Sequence, residues 1–170
     1  MRHLVFGDMF KAPLARSAGF TIIELMMTLA VLALVAAFSI PAMQNVRASA
    51  DLRSATSSLV AAMNIARSQA VSLRMDVDVE ARGGDWANGW DVIYRYPATT
   101  PAGARVMQDE RFPLVGTVAV TEAGGAVAVR FLASGLIAGG GASFELCSNS
   151  KSRLVTVSPL GRVSNEEGAC

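Results

Sequence analysis

Histidine is nearly missing from this chain: His3, three residues from the start of 170, is the only one. Histidine triads, histidine metal sites and histidine general bases are thereby excluded from the rest of the sequence. Net charge is also missing. The formal balance is +1, and beyond Pro41 twelve basic residues face twelve acidic ones. Nothing global draws this part to nucleic acid or to an anionic lipid surface. There is no glycine-rich phosphate loop, so no catalytic constellation emerges and neither enzyme activity nor a cofactor is expected. Cysteine is limited to Cys147 and Cys170. Both lie late in a segment that reads as exported, where a disulfide can persist. Such a bond would contribute about 3 kcal/mol in the chain-entropy account; two free thiols are the alternative.

What the chain does have is apolar character: 52% of residues are hydrophobic and the mean hydropathy is +0.39. The excess has a location. Residues 20–40 read FTIIELMMTLAVLALVAAFSI with one charge, Glu24. As a helix this stretch would measure about 31 Å, the thickness of a bilayer core. Arg2, Lys11 and Arg16 precede it, which places the amino terminus in the cytoplasm and the carboxy-terminal domain outside. The stretch is long for a discarded signal sequence, whose apolar core such a glutamate would also weaken. A carboxylate in hydrocarbon costs several kcal/mol unless paired, and the segment offers Glu24 no lysine or arginine.

Gly19-Phe20-Thr21-Ile22-Ile23-Glu24-Leu25, behind a basic leader, resembles the prepilin processing motif of type IV pilins. The resemblance implies cleavage between Gly19 and Phe20 by a prepilin peptidase and methylation of the new amino group of Phe20. Glu24 then becomes the fifth mature residue, and its partner would be the Phe20 amino group of a neighbouring subunit, setting axial register in a filament. Glycine suits the cut site because a peptidase must approach the backbone closely. Pro41 stands where many pilins carry a proline, and should kink or locally melt the helix. With the leader gone, no imidazole remains.

Beyond Pro41, Leu52, Leu59, Met63, Ala66, Ala70 and Leu73 recur at helical spacing. Arg47, Asp51, Arg53, Ser57, Asn64 and Arg67 fall on other faces and are expected to be solvated. From Met75 the period becomes two. Strands are expected at 75–80, 91–96, 105–112, 118–122, 126–131, 143–147, 153–158 and 162–164. Ala123-Gly124-Gly125 is a hairpin signal. Asp76, Asp78 and Glu80 alternate along one strand. A solvated edge is expected there, with a carboxylate calcium or magnesium site as the alternative. Trp86 and Trp90 are expected to be core aromatics around a turn.

The expected architecture is α+β and type IV pilin-like: a long amino-terminal helix, half transmembrane and half amphipathic, packed on antiparallel sheets. Its parts are a cleaved leader (1–19), a transmembrane helix (20–41), an amphipathic helix (42–74) and a β-rich periplasmic or extracellular domain (75–170). Within pilin-like proteins, Trp86-Ala87-Asn88-Gly89-Trp90, Ala66-Arg67-Ser68-Gln69-Ala70 and Leu160-Gly161-Arg162-Val163 resemble the GspH/FimT family. That resemblance implies a non-enzymatic minor pilin or pseudopilin of a type IV pilus or a type II secretion pseudopilus, helping to initiate or cap the filament. Its implied partners are other minor and major pilins or pseudopilins, the prepilin peptidase and an inner-membrane assembly platform. It would sit in the bacterial inner membrane by a single pass before joining the filament. Some FimT-like proteins bind DNA through a Gly-Arg-x-Arg element. Here the match is Gly161-Arg162-Val163-Ser164, with serine for the second arginine and Glu166 and Glu167 following. Lys151, Arg153 and Arg162 are the candidates for such a patch, but nucleic acid is not an expected partner.

Overall fold

The computed structural model describes residues 19–168 and Cys170, and gives no side chains for 38–42. The basic leader therefore lies outside the described residues. A helix, α1 (Ile22–Leu73), is followed by eight strands. The chain forms two compact units that divide between Ile40 and Pro41.

Helix α1 begins where a hydroxyl can serve it. Thr21 Oγ1 accepts from the backbone N–H of Glu24 at 3.2 Å, and the Thr21 carbonyl accepts from Leu25 N at 3.1 Å. Thr-x-x-Glu is the spacing of a helix amino-terminal cap. In this first unit the apolar side chains are solvent-exposed, Phe20 at 78% and Ile22 at 81%. Among the described residues no helix is long and apolar enough to cross a membrane; the described side chains of this stretch stop at Ala37. The backbone remains helical through Pro41, so the expected local melting does not occur. Proline forfeits the bond its own N–H would make to the carbonyl of Ala37, while the flanking turns keep theirs.

In the second unit, α1 turns Leu52, Ala55, Leu59, Ala62, Met63, Ala66 and Ala70 into the core. Thr56 is buried among them, its hydroxyl satisfied by the Leu52 carbonyl at 2.7 Å. The helix closes on Arg74, at φ 53°, with Met75 N bonded to the Ala70 carbonyl at 3.2 Å. This is a Schellman closure carrying arginine where glycine is usual.

Two four-stranded antiparallel sheets complete the core. The first contains β1 (Val77–Ala81), β2 (Trp90–Tyr94), β3 (Glu110–Phe112) and β5 (Ala128–Phe131), in the order β3-β2-β1-β5. The second contains β4 (Ala119–Glu122), β6 (Ala142–Ser148), β7 (Lys151–Val157) and β8 (Val163–Gly168), in the order β4-β6-β7-β8. One hydrophobic cluster joins α1, Val77, Val79, Trp90 and Phe131 of the first sheet, and Phe144, Leu146, Val155 and Val157 of the second.

The structure corrects three strand expectations. Of the stretch 105–112, only Glu110–Phe112 pairs; a 3-10 turn occupies Ala102–Ala104. Ala123-Gly124-Gly125 is a corner between sheets and not a hairpin: β4 pairs with β6, β5 with β1. Its geometry is held by Glu122, whose carboxylate accepts from Ala126 N at 2.7 Å. Beyond it, the Val127 carbonyl accepts from Ala81 N, which commits the returning chain to the first sheet.

The third correction concerns Asp78. Strand β1 lies inside its sheet, and Asp78 is 1% exposed. Arg130, directly across on β5, donates to both carboxylate oxygens at 2.8 and 2.9 Å. Arg95 donates from Nε at 2.7 Å and also pairs with Glu80. Guanidinium groups thus sit where a cation would, and no carboxylate cluster among the described residues is arranged for a metal ion. Burial pushes the Asp78 carboxyl up, but hydrogen bonds and charge from Arg130 and Arg95 outweigh it and hold the group below its ordinary 3.8.

Arg74→Gly should stabilise the fold by about 0.5–1 kcal/mol, because glycine adopts this left-handed conformation without the cost borne by a side chain; urea unfolding measures it. Because the folded carboxyl of Asp78 is depressed, its contribution is complete above the unfolded value near 3.9. That contribution disappears as pH falls through the folded value. Arg130→Gln should therefore cost about 1–3 kcal/mol at pH 7 and flatten the loss of stability below about pH 4, read from denaturation midpoints across pH.

Candidate assembly site

Gly19 and Phe20 are exposed and precede the capped start of α1, so the expected cut site lies ahead of the helix and outside regular secondary structure. Glu24 sits in the first turn, exposed, and its carboxylate makes no hydrogen bond or ion pair among the described residues. An acid in the first helical turn, at the end that follows Phe20, is favoured by the helix dipole. Around it, Ile23, Leu25, Met26, Met27, Leu29, Val31, Leu32, Leu34 and Val35 all remain more than half exposed. This is far more contiguous apolar surface than a soluble monomer exposes.

The three internal motifs each have a physical reason. Asp85 caps the turn Trp86–Asn88 by accepting from Ala87 N at 2.9 Å. Trp86 donates from its indole to the Ala126 carbonyl at 2.8 Å and meets Phe144 edge-on, with ring centres 4.7 Å apart. Gly89, at φ +91°, lies where a Cβ would come within 2.5 Å of the Phe112 carbonyl oxygen. Trp90 is completely buried. The tryptophans are packing residues that join the two sheets.

The other two motifs meet each other. Arg67, expected on a solvated face, donates from Nε to the Gly135 carbonyl at 3.3 Å. A Cβ on Gly161, at φ +74°, would come within 2.4 Å of that same carbonyl and 2.8 Å of Arg67 Nε. Arg67 thus ties α1 to two loops far apart in sequence. The signal available in the sequence was the joint presence of Arg67 and Gly161 in motifs of one family.

Cys147 and Cys170 form a disulfide, with Cα atoms 5.9 Å apart. Cys147 lies opposite Ser152, and Ser152 opposite Gly168, so the bond passes over β7 and fixes the end of β8. The candidate basic residues do not gather into one patch. Lys151 opens β7 and donates to Ser49 Oγ at 3.0 Å. Arg153 is nearby but ion-paired to Glu167 at 2.8 Å. Arg162 lies past the other end of β7, in the turn leading to β8, where its N–H bonds Ser158 Oγ. The length of a strand, about 20 Å, separates it from Lys151.

Comparison with known proteins agrees with this architecture. A family model described as type II transport protein GspH matches residues 55–161, and another, the prokaryotic N-terminal methylation motif, matches residues 14–40. No curated protein matches the chain. Crystal structures of the type IV minor pilin FimU from Pseudomonas aeruginosa (strain PAO1) are similar in two crystal forms. One aligns at 25% identity with a TM-score of 0.57, covering 72% of this chain and 94% of the FimU chain in that crystal structure. The other aligns at 25% identity with a TM-score of 0.53, covering 70% and 97%. The fold is that of a type IV pilin, and with the first family model spanning more than half its length the chain belongs to the GspH family of pilin-like type II transport proteins.

Proposed function

We propose that this protein is a non-enzymatic minor subunit of a type II secretion pseudopilus or type IV pilus. It is held in the inner membrane by residues 20–41 with the amino terminus in the cytoplasm. A prepilin peptidase cuts it between Gly19 and Phe20, and Phe20 is methylated. It then joins other pilins or pseudopilins through an assembly platform, helping to initiate or cap the filament. The observation that carries this reading is Glu24: a carboxylate unpaired among the described residues, in the first turn of an exposed apolar helix, four residues from the expected new amino terminus. Lipid covers such a surface before assembly and neighbouring helices cover it afterwards. In either medium an unpaired charge is expensive. The amino group of Phe20 on an adjacent subunit supplies the missing cation, and the pairing sets the axial register.

Mass spectrometry of the protein recovered from membranes should find the chain beginning at N-methylated Phe20. An intact leader or a different amino terminus rejects the reading. Glu24→Leu should still be processed, yet filament incorporation should fall by more than about 100-fold, because stranding the partner amine costs about 3–5 kcal/mol. Unchanged incorporation would overturn the pairing.

DNA binding has little to support it. Arg153 is neutralised by Glu167, Arg162 stands apart, and Glu166 occupies the same exposed strand. No retardation of duplex DNA is expected in a gel shift at low salt and micromolar protein.

A further inference from the structure

Strand β7 alternates, with Val155 and Val157 in the core and Leu154 on the outward face of the sheet. Ser152 shares that outward face, between Cys147 of β6 and Gly168 of β8. A hydroxyl on the outward face of a sheet is ordinarily wet. Ser152 is instead 4% exposed, and its hydroxyl has no hydrogen-bond partner among the described residues. The disulfide covers it. Cys147 stands beside it in the ladder, and the bonded sulfur of Cys170 lies 3.0 Å from the carbonyl oxygen of Lys151, the preceding residue. Gly168 closes the other side: a Cβ there would stand 2.4 Å from Ser152 Oγ. Pairing the end of β8 with β7 therefore desolvates a polar group and returns no bond to it.

Little else holds this end of the strand. Residues 164–168 are exposed and carry no apolar side chain. Glu167 pairs with Arg153, but its side chain is 81% exposed, and so exposed a pair contributes little. The beginning of β8 differs. Val163 packs against the core, and the Ser158 N–H bonds the Arg162 carbonyl at 2.9 Å across the turn. The strand thus has an anchored start, and an end whose closure over Ser152 depends on the sulfur bridge.

We propose that the disulfide is a redox switch for the carboxy-terminal half of β8. With the bond formed, residues 166–168 lie closed on β7. With it reduced, they leave β7, water reaches the Ser152 hydroxyl, and the β7 backbone at 151–154 becomes an open strand edge. The step is thiol–disulfide exchange with a dithiol reductant. The Cys147–Cys170 bond breaks, both protein sulfurs become thiols by taking the two hydrogens of the reductant, and the two sulfurs of the reductant join as its disulfide. The reverse exchange closes the strand again. The switch is separate from the processing and assembly role of the first helical turn.

The test is hydrogen exchange read by mass spectrometry on the full chain in uncharged maltoside micelles, before and after reduction with dithiothreitol. Reduction should speed exchange by at least about tenfold in peptides covering 151–154 and 165–168 and leave 52–70 of α1 and the first sheet unchanged. In the reduced chain, Ser152→Ala should slow exchange at 165–168 by about tenfold, because the closed strand no longer buries an unpartnered hydroxyl. A bridge that merely cross-links the chain would not respond to that substitution. Equal protection of β8 in the two redox states overturns the switch, as does loss of protection throughout the domain on reduction, or a reduced Ser152→Ala chain that exchanges like the reduced wild type. None of these readouts depends on cleavage at Gly19 or on Glu24, so failure here is distinct from failure of the subunit reading.

Discussion

The second unit depends on one packed surface: the inner face of α1 from Leu52 to Ala70, against which both sheets close. Four of its residues are alanines, at positions 55, 62, 66 and 70, and all are buried. Leu59 and Met63 supply the largest side chains of this face to the shared core. Burying a leucine or methionine contributes about 1.5–3 kcal/mol, so this face gathers much of the domain's stability into a few turns. Sheet order follows from it. Val77, Val79, Trp90 and Phe131 face the helix from one sheet, and Phe144, Leu146, Val155 and Val157 from the other.

Helical periodicity was therefore the most legible feature of the sequence. The spacing of Leu52, Leu59, Met63, Ala66 and Ala70 identified the buried face, and the loss of that period near Leu73 marked the helix end. Alternation likewise located most strands, because each has one buried face. Pairing was less legible. Ala123-Gly124-Gly125 carries hairpin composition, yet the backbone beyond it bonds to Ala81 and to the Trp86 indole. Composition reports the propensity to turn and is silent on which strand receives the returning chain. Strand 105–112 failed for a related reason: alternation over 105–109 has no neighbour to pair with, and only Glu110–Phe112 reaches β2.

Charged residues were the hardest to read. Asp78 alternates with valines as any solvated strand residue would; its burial depends on arginines 17 and 52 positions away. Arg67 was indistinguishable from the other exposed helix arginines until the loops bearing Gly135 and Gly161 were in place. At the amino terminus the opposite holds. Glu24 was legible because it stands alone in an apolar run, and its isolation persists among the described residues. Asp78 and Glu24 have one lesson between them: a charge is understood from its counter-charge, which sequence reveals only when it is absent nearby.

The crossed disulfide has a mechanical consequence. Strand β8 contributes little to the core; all but its first residue are exposed. Tension applied at Cys170 would otherwise unzip it from β7 one hydrogen bond at a time. Because sulfur links that residue to Cys147, the load passes to β6, an interior strand flanked by β4 and β7. There, many bonds must rupture together, so the covalent bypass turns a weak seam into a tether.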